Sequence, residues 1–249
     1  MKSPGEEAMS QETLRLSKRM VELGLCSRRE ADELIEQGRV LVDGRAVDTL
    51  GSRVTPAQHI AILPATGVAT PERVTLLLNK PAALRAWSDA DLLGVTALLR
   101  PELRHGGPDI RFLKKHVQRH QVAVPLDPNA SGLLVLTQDA RLAQRLAQAQ
   151  DFEQEFLVWP TGPVTTEQVA TLARTRAVGE ATIKPFKVTR QSERQLRFLL
   201  REHRPGLIPA LCASVGLGVA SYRRIRVGRL ALGDLPEGGW RYLGPNERF

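Results

Sequence analysis

Between Leu14 and Leu63, cap and turn signals follow one another so closely that the chain has room only for two short helices and a small hairpin sheet. Leu16, Met20 and Leu23 share one face at helical spacing, while Lys18, Arg19 and Glu22 lie off it. Gly24 is placed to end that helix. Ser27, with Glu30 three residues on, forms a capping box for a second helix, whose stripe of Ala31, Leu34 and Ile35 runs until Gly38. Val40-Leu41-Val42, then Asp43-Gly44, then Ala46-Val47 read as a hairpin, and His59 to Leu63 supplies a further strand. Lys18, Arg19, Arg28, Arg29, Arg39 and Arg45 crowd onto this unit, a pattern that predicts phosphate binding rather than a merely solvated face.

Pro64 to Arg73, with Pro64, Gly67 and Pro71, reads as a linker, so the expected division is 14–63, 64–73 and 74–249, with the two domains folding separately. Val74 to Leu78 is a continuous apolar run suited to a central strand. Helices are predicted around Leu92 to Leu99 and over Ala140 to Ala149, the latter capped by Thr137 or Asp139. Further strands are predicted at Gly132 to Leu136, Phe156 to Val158, Gln195 to Leu200 and Arg223 to Val227. Strand alternation aims Arg224 and Arg226 at RNA and turns Ile225 and Val227 inward, although charges on an edge strand that discourage aggregation would read the same way. Arg111, Lys114, Lys115 and Arg119 read as a solvated basic helix face, and His116 and His120 as surface histidines, since no carboxylate or cysteine neighbour completes a metal site. The fold class that follows is α+β: a small two-helix-plus-sheet module, then a mixed, mainly antiparallel domain.

Composition narrows the partner. Thirty-five Lys and Arg against 27 Asp and Glu leave a formal charge of +8 and a pI near 10.1, which favours a polyanion over a neutral metabolite. Two cysteines, Cys26 and Cys212, build neither a disulfide framework nor a thiolate zinc site, so the cytoplasm is expected. Met1 to Gln11 is polar, unlike a secretory signal or membrane anchor, and no run has the length of a membrane span. No phosphate loop, dinucleotide fingerprint or nucleophile-base motif stands out, which weighs against an RNA-binding module attached to a metabolic enzyme.

The pattern Arg15-Leu16-Ser17-Lys18, Gly24, Cys26-Ser27-Arg28-Arg29, Glu30-Ala31, Leu34-Ile35, Gly38-Arg39-Val40 and Val42-Asp43-Gly44 closely resembles the S4 RNA-binding domain. The resemblance implies phosphate contacts from Arg15, Lys18, Arg19, Arg28, Arg29 and Arg39.

The second domain resembles the S4-linked family of bacterial ribosomal RNA pseudouridine synthases. The likeness is carried by Leu76 to Pro81, by Leu126-Asp127 with Gly132 to Asp139, by Glu155 to Val158, and by Arg226 to Gly228, Leu232 to Pro236 and Gly239 to Arg241. It implies that a uridine in structured RNA is converted to its carbon-linked isomer by one aspartate, with no metal, nucleotide or organic cofactor. A carboxylate suits this chemistry because it can attack, later leave, and stabilise positive charge on the ribose. By position Asp127 is that nucleophile, and the Phe156 ring stacks on the flipped base. Read without the resemblance, Asp127-Pro128-Asn129 is ordinary turn chemistry.

The chain departs from the family around that aspartate. Val124 and Pro125 stand where the family has a glycine and then the arginine that orients the carboxylate and keeps it ionised. Phe156 replaces the tyrosine and lacks its hydroxyl. His203 to Leu211 keeps Arg204, Ile208 and Leu211 but carries Gly206, Leu207, Pro209 and Ala210 in place of basic and polar residues, and Pro209 is expected to disturb a helix beginning there. Ala130 replaces a serine or threonine, and Ala83 a glycine. The expectation is a monomeric protein that binds ribosomal RNA. Its isomerase activity is either retained in reduced form or lost, the alternative being a purely RNA-binding role in ribosome assembly or RNA folding.

Overall fold

The computed structural model describes residues 13–63, 73–86, 88–148, 152–202 and 204–249. The chain forms two compact units: the first holds the N-terminal residues together with Asp109–Val117, the second the remainder from Arg73 onward. The 74–249 expectation therefore loses an internal segment to the first unit. The predicted linker lies outside the described residues except for Arg73.

In the first unit a short ladder of β1 (Leu14–Arg15) with β4 (Arg53–Val54) precedes helices α1 (Leu16–Glu22) and α2 (Arg28–Glu36). The capping box at α2 is complete: Glu30 N donates to Ser27 Oγ at 3.3 Å and Ser27 N donates to Glu30 Oε2 at 2.7 Å. Strands β2 (Val40–Val42), β3 (Arg45–Val47) and β5 (Ile60–Ile62) form one antiparallel sheet. Asp43 and Gly44 have φ of +50° and +81°, the pair of left-handed residues that a two-residue hairpin turn requires. Leu16, Met20, Ala31, Leu34, Ile35 and Val40 make the core, and Leu113 joins it from the internal segment.

In the second unit, β6 (Thr75–Lys80), β7 (Gln121–Val124), β8 (Ala130–Thr137) and β9 (Gln154–Pro160) are joined by α3 (Leu92–Thr96) and α4 (Ala140–Gln148). Asp139 caps α4, accepting from Arg141 N and Leu142 N. Helix α5 (Thr166–Arg174), a small hairpin of β10 (Ala177–Val178) and β11 (Ala181–Thr182), and strands β12 (Lys187–Ser192) and β13 (Gln195–Leu200) come next. Helix α6 (Leu207–Ala213) and strands β14 (Val219–Val227), β15 (Leu230–Ala231) and β16 (Trp240–Tyr242) complete the unit. Among the described residues one mixed sheet runs in the order β12, β13, β9, β14, β8, β6, β16, with β15 beside β14 and β7 beside β8. Among the described strand pairs of this sheet, only β14 with β8 is parallel. The apolar run predicted as a central strand is β6, where Leu76, Leu77 and Leu78 are all fully buried.

Several expectations need correction. Pro209 does not disturb α6, because it sits in the first turn, where its missing N–H has no intrahelical partner to lose. No basic helix spans Arg111 to Arg119: Lys114–Val117 is a single 3₁₀ turn, and Arg119 has φ of +55°. His116 and His120 are buried, not surface residues. The strand alternation also fails on β14: Arg224 pairs with Phe156 and Arg226 with Glu155, so Ile225 is the extra residue of a bulge. The bulge flips the parity, and Arg224 is completely buried rather than facing RNA.

Candidate functional site

Asp127 stands just before β8, in a turn closed by Ala130 N donating to the Asp127 carbonyl at 3.1 Å. The neighbouring strand β14 lies between β8 and β9, with Tyr222 in register with Ala130 on one side and Val158 on the other. This register brings the Tyr222 hydroxyl to Asp127 Oδ2 at 2.8 Å, and Gly206 N donates to the same oxygen at 3.2 Å. Asp127 Oδ1 is buried and accepts no hydrogen bond among the described residues. Burial first, and then the Asp127 charge, hold the Tyr222 hydroxyl above its usual pKa, so it remains a proton donor across the neutral range.

Two buried cations lie within the reach of this carboxylate's charge. Lys80 Nζ, at the end of β6, donates to the carbonyls of Pro81 (2.9 Å), Leu84 (2.8 Å) and Pro128 (3.1 Å). Burial, with help from Arg224, pulls its pKa down to about 8, while Asp127 works in the opposite direction. Arg224 donates to the carbonyls of Leu133 (2.8 Å), Pro125 (2.7 Å) and Val124 (2.9 Å) and to Gln154 Oε1 (2.9 Å). Burial lowers its pKa as well, and Asp127 favours its charge. Arg224 thus grips the Val124 and Pro125 carbonyls from the strand next door, beside the place where Pro125 offers no guanidinium.

Phe156, buried on β9, lines a cavity with Asp127, Leu200, Glu202, Arg204, Leu207 and Ile208. Among the described residues this space is narrow, with a volume of about 10 Å³, the scale of a single water. Arg204 is engaged with Glu202 at 2.8 Å and with the Thr182 carbonyl. Ala83 has φ of +69°, which explains why glycine suits that position. Arg226 is half-buried and ion-paired with Glu155 at 2.8 Å and with Glu153 at 3.6 Å. Burial pushes the Glu155 carboxyl up, but its hydrogen bonds from Arg197 and Arg226 outweigh that and leave it below the usual range. Among the described residues no three His, Cys, Asp or Glu side chains group as a metal site.

In the first unit Arg15, Lys18, Arg28 and Arg29 are exposed. Arg19 and Arg39 are half-buried and donate to the carbonyls of Pro56 and Leu63. Tyr222 and Lys80 were not picked out by sequence reasoning. Tyr222 is one of two tyrosines in the chain, so the lost hydroxyl at position 156 left few places to search. Replacing it by phenylalanine removes a buried hydrogen bond to a carboxylate without changing the shape of the ring. Urea unfolding of Tyr222→Phe is expected to show a loss of roughly 1.5–3 kcal/mol, and an unchanged midpoint would contradict the contact.

The S4 domain family matches residues 14–60. An uncharacterised RNA pseudouridine synthase of Mycobacterium bovis is 31% identical, over 99% of this chain and 96% of the relative. The chain belongs to the RNA pseudouridine synthases. Another member, the dual-specificity RNA pseudouridine synthase RluF of Escherichia coli, is 28% identical over 94% of this chain and 77% of its own length. A crystal structure of a pseudouridylate synthase shares the fold, with a TM-score of 0.58 and 23% identity over 92% of this chain and 96% of that one. No described helix is long and apolar enough to cross a membrane.

Proposed function

We propose that this chain binds structured ribosomal RNA, chiefly through phosphates, and that uridine isomerisation at its Asp127 centre is reduced or lost. The setting of Asp127 carries this reading: one carboxylate oxygen is held by Tyr222 and Gly206, the other is buried without a hydrogen bond among the described residues, and Pro125 and Phe156 stand where the resemblance implies an arginine and a tyrosine. Asp127 is the nucleophile and Phe156 the stacking ring in whatever activity remains. The exposed Arg15, Lys18, Arg28 and Arg29 of the S4 domain are the main phosphate contacts, while Arg19 and Arg39, tied to backbone carbonyls, contribute less. Arg226 is held back from RNA by its two glutamates. The two cysteines are buried free thiols, with Cys26 pushed up to about 12 mainly by burial, so neither is a ready nucleophile, and the setting proposed is the cytoplasm. The protein acts as a monomer in this reading.

A second reading, a working isomerase, draws support from the retained Asp127 flanked by Lys80 and Arg224, with a phenol again within hydrogen-bond reach. The binding claim is tested by titrating the protein with an unmodified ribosomal RNA transcript at several salt concentrations. Replacing both Arg28 and Arg29 by alanine is expected to weaken binding and to reduce the slope of log affinity against log salt by about two, at roughly 0.9 per phosphate contact. Unchanged affinity and slope would contradict the assignment.

A further inference from the structure

We infer that Asp109–Val117 is part of the RNA-binding surface, with Arg111 and Lys114 contacting RNA phosphates beside Arg28 and Arg29. This inference rests on the RNA-binding reading above and adds a contact segment from outside the S4 sequence match, which ends at residue 60.

The first observation is where the segment folds. It belongs to the first unit, anchored by Leu113, which is fully buried in the same apolar core as Leu34 and Ile35. The second is charge. Residues 13–63 hold eight Lys and Arg but seven Asp and Glu, so the helix-and-hairpin module is nearly neutral at +1. The internal segment adds Arg111, Lys114 and Lys115 against Asp109 alone, so residues 13–63 and 109–117 together carry +3. From residue 110 to residue 126 the chain contains no acidic residue. Counterion release depends on cations that reach phosphates, and the segment supplies three of them against one acid.

The third observation is placement. Glu33 on α2 is shared between Arg29 (3.5 Å) and Arg111 (3.4 Å), which sets Arg111 one carboxylate away from the first turn of α2. Arg111 is also near enough to Arg39 to lower its pKa, after burial, and with Lys115 it acts on the Cys26 thiol at the start of α2. Lys114 is exposed on the 3₁₀ turn that Leu113 pins to the core. Exposed ion pairs such as Arg111 with Glu33 are worth little, about 1 kcal/mol at most, so a phosphate can displace the glutamate at small cost. Leu113, two residues on and fully buried, still anchors the segment when the pair is broken.

The test uses the full chain and the unmodified ribosomal RNA transcript, with three proteins side by side: wild type, the Arg28→Ala/Arg29→Ala variant and an Arg111→Gln/Lys114→Gln variant. The segment variant is expected to bind about tenfold more weakly at low salt and to lose about two from the salt slope. Lys114→Gln alone, at an exposed position, is expected to lose about one and guards against misfolding caused by the change at Arg111. Full affinity and slope in both segment variants, alongside a weakened Arg28→Ala/Arg29→Ala protein, would overturn this inference and leave the RNA-binding reading standing. Absence of binding by the wild type would overturn both.

Discussion

Replacing Arg224 by alanine is expected to unfold much of the second unit. The guanidinium has no exposure, and its four hydrogen bonds tie β14 to Leu133 on β8, to the Val124 and Pro125 carbonyls ahead of Asp127 and to Gln154 on β9. Its removal leaves three carbonyls and an amide without their donor in a dry interior, where each orphan costs about 1–3 kcal/mol, and adds a cavity. A total of roughly 4 kcal/mol or more is a large share of the 5–15 kcal/mol that holds an ordinary domain together. Lysine cannot rescue the position fully, because its three donors share one point while the acceptors lie on separate strands. Urea unfolding followed by tryptophan fluorescence measures the loss, and a variant as stable as the parent would show that the guanidinium is not a structural tie.

Gly132→Ala is expected to be nearly as damaging. Gly132 has φ of +102°, and a Cβ built there would run into the Arg224 backbone, with Arg224 N at 2.9 Å and the Arg224 carbonyl oxygen closer still. The collision occurs at the one parallel junction of the sheet, where Arg224 and Gly132 are in register, so neither strand can move aside without breaking the ladder that places Tyr222 against Asp127. Backbone strain and overpacking together are expected to cost roughly 3 kcal/mol or more. The same unfolding experiment decides it, and a stable Gly132→Ala protein that keeps the Asp127 geometry would contradict the account of the junction.

Much of this architecture is legible in the sequence because it rests on local chemistry. The Ser27 and Glu30 capping box, the Asp43-Gly44 turn and the apolar run of β6 each specify their element without reference to the rest of the chain. Thr165 with Gln168 caps α5 in the same way and was equally readable. What the sequence hides depends on register and return. A single-residue bulge at Ile225 reverses which side chains of β14 are buried, and periodicity cannot see it. The basic stretch 111–119 looks like a solvated helix until Leu113 is found in the core of the first unit. At the site, the motifs single out Asp127 and Phe156, but Lys80, Tyr222 and Arg224 come to the aspartate from β6 and β14 by strand pairing across the sheet. The sequence shows where the chain departs from the family motifs, and only the structure shows which groups stand near Asp127.

The central claim is that the protein retains RNA binding while its Asp127 chemistry is slow or gone. Each missing positioned group removes roughly 10²- to 10³-fold in rate, so the absent arginine and tyrosine hydroxyl at their family positions can together bring turnover close to nothing unless Tyr222 and Arg224 substitute for them. The decisive measurement is chemical mapping of pseudouridine in unmodified ribosomal RNA after incubation with the wild-type protein and with Asp127→Asn, under conditions in which binding is saturated. The account predicts bound RNA with little or no conversion, and complete loss of any residual conversion in Asp127→Asn. Rapid, site-specific conversion by the wild type that disappears in Asp127→Asn would contradict it and establish a working isomerase.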